Sequence, residues 1–254
     1  IHVVVGHGAD QVEAALANEG CGFYLQAEQK GTGHAVAQAV PGLRAEGVTL
    51  VLYGDVPLTP ASVFESMVQT AQQGKVALLT VKLDDPTGYG RIIRSAVNDV
   101  VGIVEQKDAN ADQLAITEVS TGIMAMPTSH LIEWLPQLSS NNAQGEYYLT
   151  DLIAMAANAG ISVQAQHPES EYEVQGVNNR RQLAELERWY QLQQANRLMD
   201  AGVTLADPTR IDVRGDLVVG SDVEIDINFI AEGSVKFGSG VTIGPNCVIK
   251  DAVI

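Results

Sequence analysis

The chain has 254 residues, enough for one large domain or two modest ones with a real core, and its 46% hydrophobic and 18% charged side chains argue against disorder. Its 31 acidic and 15 basic side chains give a net charge of −16. This argues against a basic face that binds nucleic acid, because phosphates would meet net repulsion. A small anionic ligand stays compatible with that charge if a divalent cation and a few local donors neutralise it.

The chain opens on an apolar strand, Ile1–Val5, and a helix over Asp10–Asn18 follows. Phe23–Gln26 reads as a short strand, then a Gly-Thr-Gly turn leads into an alanine-rich helix at His34–Val40. Val48–Tyr53 is the next strand, and Pro60–Gln73 has helical spacing. Val76–Val81, Val100–Glu105 and Gly122–Met126 add strands, with helices near Ser129–Leu138 and Tyr148–Ala159. This alternation predicts an α/β fold, Rossmann-like, with a mainly parallel sheet covered on both faces and ligands at the carboxyl ends of its strands. Asn179–Ala201 reads as one long helix, with Leu183, Leu186, Tyr190, Leu198 and Met199 at helical intervals and Gly202 placed to end it.

After Pro208 the period changes to six. Val213, Val219, Ile225, Ala231, Phe237, Ile243 and Ile249 form one register, and Ile211, Leu217, Val223, Phe229, Val235, Val241, Cys247 and Val253 form a second. Glycines at 220, 238 and 244 follow members of the first register. A six-residue period fits neither an α-helix nor an ordinary hairpin sheet. It predicts a hexapeptide-repeat parallel β-helix, with about 18 residues to each triangular coil. The apolar runs at both ends ("IHVVV", "CVIKDAVI") read as an internal piece of a longer protein that continues past Ile254. No apolar run approaches the roughly 18–20 residues of a membrane helix. Two widely separated cysteines, Cys21 and Cys247, form no disulfide framework and fit a reducing cytosol.

Several short motifs carry candidate chemistry. In "TLVLYGDVPL" a strand runs through Tyr53 and Gly54 into Asp55. A carboxylate at a strand tip suits magnesium, which takes one or two protein carboxylates and completes its shell with water and phosphate; Asp is equally a common cap or turn residue. In "LQAEQKGTGHA" the Gly31-Thr32-Gly33 turn before a helix offers free backbone N–H groups to a ligand, and Gln26 can both donate to and accept from a nucleobase edge. "DDPTGYGRIIR" sets Gly88 and Gly90 around Tyr89, followed by Arg91; "GIVEQKDA" ends a strand in Glu105. "EVSTGIMAM" enters a strand through Ser120 and Thr121, and "NAQGEYYLTD" sets Glu146, Tyr148 and Thr150 at a helix start. "VQGVNNR" ends in Asn178, an oxygen donor suited to a second magnesium contact.

Taken in order, "QAEQKGTGHA", "LYGDVPL", "DDPTGYGRI", "GIVEQKDA", "NNAQGEYYLTD" and "GVNNR", followed by the repeats, resemble the bifunctional bacterial N-acetylglucosamine-1-phosphate uridyltransferase / glucosamine-1-phosphate N-acetyltransferase family along essentially the whole chain. The resemblance implies a nucleotidyltransferase domain over residues 1–178, a linking helix over 179–202, and the first coils of a left-handed β-helix over 203–254, in a cytoplasmic homotrimer. It implies Mg2+-dependent uridylyl transfer from UTP to N-acetylglucosamine 1-phosphate, giving UDP-N-acetylglucosamine for cell-wall synthesis without a protein nucleophile. Acetyl transfer from acetyl-CoA belongs to the full-length family member only. Gln26, Gly31 and Thr32 would contact the uracil and nucleotide, Tyr53 and Gly54 would line the site, and Asp55 with Asn178 would hold the metal. The Gly90 backbone and Glu105 would bind the sugar. Ser120 stands where the family usually carries Asn, and its shorter hydroxyl implies a weaker or water-bridged sugar contact. The family's Gly-rich triphosphate loop would precede Ile1. Two other readings stay open: a sugar-1-phosphate nucleotidyltransferase of different base or sugar, and a catalytically silent trimeric scaffold.

Overall fold

The computed structural model describes residues 1–254, which divide into two compact units, Ile1–Gln175 and Gly176–Ile254. The first unit runs β1 (His2–Val5), α1 (Ala9–Ala15), β2 (Gly22–Leu25), α2 (Thr32–Ala39), β3 (Val48–Val51), α3 (Ala61–Gln72), β4 (Val76–Lys82), β5 (Arg91–Arg94), β6 (Val100–Val104), α4 (Ala111–Leu114), β7 (Glu118–Pro127), α5 (Thr128–Trp134), α6 (Asp151–Asn158) and β8 (Val163–Gln166). Strands β1 and β2 pair in parallel as a sheet of their own. The other six form one sheet in the order β6-β5-β7-β4-β8, with β3 also paired to β7.

That larger sheet is mixed, where strand–helix alternation predicts a mainly parallel one. Strands β3, β4 and β5 all run antiparallel to the ten-residue β7, β5 is antiparallel to β6, and only β4–β8 is parallel. The reversal begins at the short turn Ser95–Asp99, closed by Ser95 and Asp99 and carrying Asn98 at φ 71°. A connection that short can join only antiparallel neighbours, since a parallel crossover needs a dozen or more residues.

Both faces of the sheet are buried, and the period of two sorts its residues between them. Val76 and Leu78 of β4, with Met124 and Met126 of β7, pack against Leu131 and Trp134 of α5 and Leu152, Ile153 and Ala156 of α6. The alternate residues Ala77, Leu79, Val81, Ile123 and Ala125 face Met67 and Ala71 of α3. With both faces covered, β4 is apolar along nearly its whole length. Its strand-end loops carry the polar residues of interest.

The second unit holds α7 (Arg180–Asp200), β9 (Thr204–Leu205), β10 (Ile211–Val218), β11 (Glu224–Ile225), β12 (Phe229–Lys236), β13 (Thr242–Ile243) and β14 (Val248–Lys250). Strand β11 pairs in parallel with β9 and β13, and β12 with β10 and β14. Rows repeat 18 residues apart, as in Asn228 Nδ2 donating to Asn246 Oδ1 at 2.7 Å. Val213, Ile225, Ala231, Phe237 and Ile243 of one register, and Ile211, Val223, Phe229 and Val235 of the other, are buried inside the coil. Strands β10 and β12 turn a corner together at Gly215 (φ 136°) and Gly233 (φ 71°). A Cβ on Gly215 would lie 2.2 Å from the Gly233 carbonyl, so the stacked corner admits only glycine there.

The N-cap of α7 is Asn179, which accepts from the Arg181 and Gln182 N–H groups at 3.0 Å, and Gly202 (φ 92°) follows its end. The expected apolar stripe is only partly correct. Leu186 and Leu198 are buried, but Leu183, Tyr190 and Met199 are exposed, and Gln191 and Ala195 take the inner positions. Gln191 Nε2 donates to the Val213 carbonyl at 3.0 Å and its Oε1 accepts from the Val213 N–H at 2.7 Å. One side-chain amide thus replaces the missing neighbouring strand at the first coil's edge, a substitution that spacing of apolar residues does not reveal. No helix is long and apolar enough to cross a membrane.

Gln191→Leu would strand a buried N–H and a buried carbonyl. It is expected to cost about 3 kcal/mol in urea unfolding of this unit and to remove the hydrogen-exchange protection of the Val213 amide. Unchanged protection would mean that this edge is satisfied without the glutamine.

Candidate functional site

The candidate residues of the first unit sit on strand ends and on the loops that leave them. Gln26 follows β2 and is buried, its own N–H bonded to the Val5 carbonyl. Its amide nitrogen donates to the Gly31 carbonyl at 3.1 Å and meets His34 Nδ1 at 3.0 Å. The Gly31 carbonyl can only accept, so the amide nitrogen must face it, and His34 Nδ1 is then the unprotonated ring nitrogen. Both amide protons are used within the protein. Only Oε1 of Gln26 is left for a ligand, which narrows the donor-and-acceptor role expected of it.

The Gly-Thr-Gly turn is also less open than expected. Gly33 N–H donates to the Tyr147 carbonyl at 2.8 Å, and Tyr147 N–H donates to the Lys30 carbonyl at 2.8 Å. Leu149 N–H donates to Thr32 Oγ1 at 3.2 Å. Gly31 has φ 101°, and a Cβ there would lie 2.7 Å from the Tyr147 carbonyl oxygen; on Gly33 it would lie 2.9 Å from the same atom. The two glycines serve close packing against residues 146–149 as much as any ligand.

The Tyr53 ring lies close against the backbone at Gly122. Gly122 has φ 81°, and a Cβ on it would meet the ring at 2.5 Å. Burial pushes the Tyr53 phenol upward, and the negative charge of Glu105 adds to this. The Thr32 hydroxyl bonded to the phenol opposes the rise, and Asp55 adds a smaller upward push. Tyr53, Thr32, Glu105 and Asp55 therefore share one electrostatic neighbourhood. Asp55 itself is exposed in the turn after β3, and its carboxylate has no hydrogen bond or ion pair; a Cβ on the neighbouring Gly54 would meet nothing within 4 Å.

Gly90, Glu105 and Ser120 also come together. The Gly90 carbonyl accepts from the Ser120 N–H at 2.8 Å, and a Cβ on Gly90 would lie 3.3 Å from both carboxylate oxygens of Glu105. Thr150 Oγ1 donates to Glu105 Oε1 at 2.7 Å, which leaves Oε2 without a protein partner. The Ser120 hydroxyl accepts from Gly122 N–H at 3.1 Å, so it braces the glycine under Tyr53. Asn178 lies in the second unit, exposed, with its backbone N–H bonded to Gln182 Oε1 at 2.8 Å and its side chain free of hydrogen bonds.

Three residues beside this group were not singled out by the sequence. Asp108 Oδ2 accepts from the Tyr148 hydroxyl at 3.1 Å, and its Oδ1 accepts from the Ala143 N–H at 2.9 Å. Gln106 accepts from Arg91 and from the Gly88 N–H. Asp151, at the start of α6, is half-buried, and burial pushes its carboxyl up, with the charges of Glu105 and Asp108 adding to the effect. Only the third dimension assembles these acids: Glu105 and Asp108 follow β6, whereas Asp151 opens α6. The chain forms no cluster of three or more His, Cys, Asp or Glu able to cage a metal. Magnesium does not require one when phosphates complete its shell.

The mixed α/β unit is that of a nucleotidyltransferase, the class to which both its domain family and its relatives assign it. The chain belongs to the MobA-like NTP transferase domain family, whose pattern matches residues 1–205. It is 60% identical over 254 residues to the bifunctional protein GlmU of Marinobacter nauticus, covering 100% of this chain and 56% of that protein. The corresponding protein of Stutzerimonas stutzeri is 58% identical over the same span, with the same coverage, and that of Burkholderia vietnamiensis is 55% identical over 252 residues. The chain thus spans about half the length of these relatives. Among solved structures, that of UDP-glucose pyrophosphorylase complexed with UDP-glucose shares the fold, with a TM-score of 0.52 and 18% identity, over 65% of this chain and 71% of that one.

The raised Asp151 carboxyl has a consequence for stability. Ionising it is harder in the folded state, so wild type carries a penalty above the folded value that vanishes below the ordinary value of 3.8. Asp151→Asn is expected to raise the melting temperature near neutral pH, with the gain fading as pH falls through that window. A gain independent of pH in thermal melts would refute the assignment.

Proposed function

We propose that the chain carries the uridylyl-transfer centre of a bifunctional enzyme that makes UDP-N-acetylglucosamine from UTP and N-acetylglucosamine 1-phosphate. One observation carries the reading. Tyr53, bonded by the Thr32 hydroxyl and within the field of Glu105, lies two residues before Asp55, whose carboxylate stands in the turn after β3 without any protein partner. The bifunctional nature of the relatives, together with the coils, supports a second, acetyl-CoA-dependent activity of the full chain on glucosamine 1-phosphate. In this reading residues 1–178 are the nucleotidyltransferase domain, 179–202 the linking helix and 203–254 the start of the acetyltransferase β-helix, in a cytoplasmic homotrimer.

The reaction asks little covalent chemistry of the protein. A phosphate oxygen of the sugar phosphate attacks the α-phosphorus of UTP; a P–O bond forms as the bond to the bridging α–β oxygen breaks, and its electron pair leaves with pyrophosphate. The protein orients the two substrates. Gln26, through Oε1, with Gly31 and Thr32, takes the nucleotide, and Tyr53 and Gly54 line the approach. The Gly90 backbone and Glu105 hold the sugar, with Thr150 fixing one carboxylate oxygen so that the other faces the sugar hydroxyls. Ser120, occupied in bracing Gly122, leaves that side of the sugar to water. The unpaired carboxylate oxygens of Asp55 are hard donors that fit Mg2+, and Asp55 is assigned as a ligand. Bound there, the cation would neutralise phosphate charge that so acidic a protein cannot.

Asp55→Asn, in the full chain as naturally encoded, is expected to cut uridylyl transfer about a thousandfold while sparing acetyl transfer. Unchanged turnover at saturating Mg2+ would overturn the role. Pyrophosphate release with a panel of nucleotides and sugar phosphates separates this enzyme from one of different specificity. Calorimetry with UDP-N-acetylglucosamine and Mg2+ is expected to show binding, and absent heat would favour the silent scaffold.

A further inference from the structure

Arg91 is the largest fully buried side chain, 2% exposed, at the first position of β5. It forms no ion pair. Burying a cation without a counter-charge costs several kcal/mol, and an apolar residue of similar volume is often neutral or stabilising in its place. Ile92, next in the strand and equally buried, shows that this strand accepts such residues. Filling the sheet therefore does not explain the arginine.

Its contacts do. Nη1 donates to the Tyr89 carbonyl, and Nη2 donates to Gln106 Oε1 at 2.8 Å. Gln106 Oε1 also accepts from the Gly88 N–H at 3.2 Å. These bonds close a ring from the Gly88–Tyr89 turn, through the guanidinium, to the residue directly after Glu105. Gly90 lies between the two contacts, its Cβ position 3.3 Å from the Glu105 carboxylate and its carbonyl held by Ser120 N–H at 2.8 Å. Nε is left as a buried donor without a partner, so the fork is oriented by these two acceptors at the expense of its third site. A lysine could reach one acceptor but not both, because it lacks the planar fork.

We propose that Arg91 is a positioning residue that works through Gln106 to set the Gly90 backbone against Glu105, and so governs affinity for the sugar phosphate and not for the nucleotide. This rests on the assignment of Gly90 and Glu105 to the sugar made above. The nucleotide contacts at Gln26, Gly31 and Thr32 share no hydrogen bond with the ring, so the two affinities can separate.

The test is steady-state uridylyl transfer by the full natural chain carrying Arg91→Lys, Gln106→Leu or both. Gln106 is only partly buried, so Gln106→Leu probes the ring even if Arg91→Lys fails to fold. Losing one charge-assisted hydrogen bond is expected to raise KM for N-acetylglucosamine 1-phosphate about tenfold, with KM for UTP changed less than about twofold. The double variant should be no worse than the more damaged single one, because the two residues act in series. Equal rises in both KM values, or a lowered melting temperature with neither KM changed, would overturn the proposal and leave Arg91 a purely structural residue. Wild type without uridylyl transfer would instead refute the functional reading on which it rests.

Discussion

The first unit depends on one extended segment, residues 146–151, which no regular element contains until α6 begins. Tyr147 exchanges backbone hydrogen bonds with Lys30 and Gly33, Leu149 N–H caps Thr32, Thr150 holds Glu105 and Tyr148 holds Asp108. The segment therefore ties the turn assigned to the nucleotide to the strand end assigned to the sugar. Each bond is ordinary, worth about 1 kcal/mol net. Together they fix the distance between two groups that otherwise belong to separate sheets, and transfer between two bound substrates depends on such placement more than on any single group.

Glycine at the site follows from that clamp. Gly31 and Gly33 let residues 146–149 approach, Gly122 lets the Tyr53 ring lie on the backbone, and Gly90 leaves room for Glu105. A Cβ on Gly31 or Gly33 meets the Tyr147 backbone, one on Gly122 meets the Tyr53 ring, and one on Gly90 meets the side chains of Ile103 and Glu105. Gly54 differs, since nothing in the protein lies near it. The space beside Asp55 is open to a ligand, whereas the other four glycines are occupied by the fold itself.

The second unit reaches order by another route. Its coil is a stack of identical rows, and each row must satisfy the backbone of the one before it. Within the stack, Asn228 and Asn246 sit at the same left-handed corner, φ 61° each, and hydrogen-bond one above the other. At the first coil the stack has no earlier row along Val213, and Gln191 of α7 supplies its hydrogen bonds. A polar side chain on the inner face of a helix is explained by an edge strand that requires both a donor and an acceptor.

The sequence by itself determined the local periods and the chemistry of the strand ends. The six-residue repeat is legible because every row contributes the same inward positions, and the strand-tip Asp55 is legible because a carboxylate after an apolar run is out of place in a core. The end of α7 was equally readable, since a glycine such as Gly202 acts within a few residues of itself. The tertiary structure alone decided strand direction, because alternation of elements does not say which way a hairpin such as β5–β6 turns the chain. It also decided which donors remain free: Gln26 and Gly33 look available in sequence, but their N–H groups are taken by Gly31, His34 and Tyr147. Arg91, Gln106, Asp108 and Asp151 acquire meaning only when β5, β6 and α6 meet, because a hydrogen bond between residues far apart in the chain leaves no mark on the spacing of either.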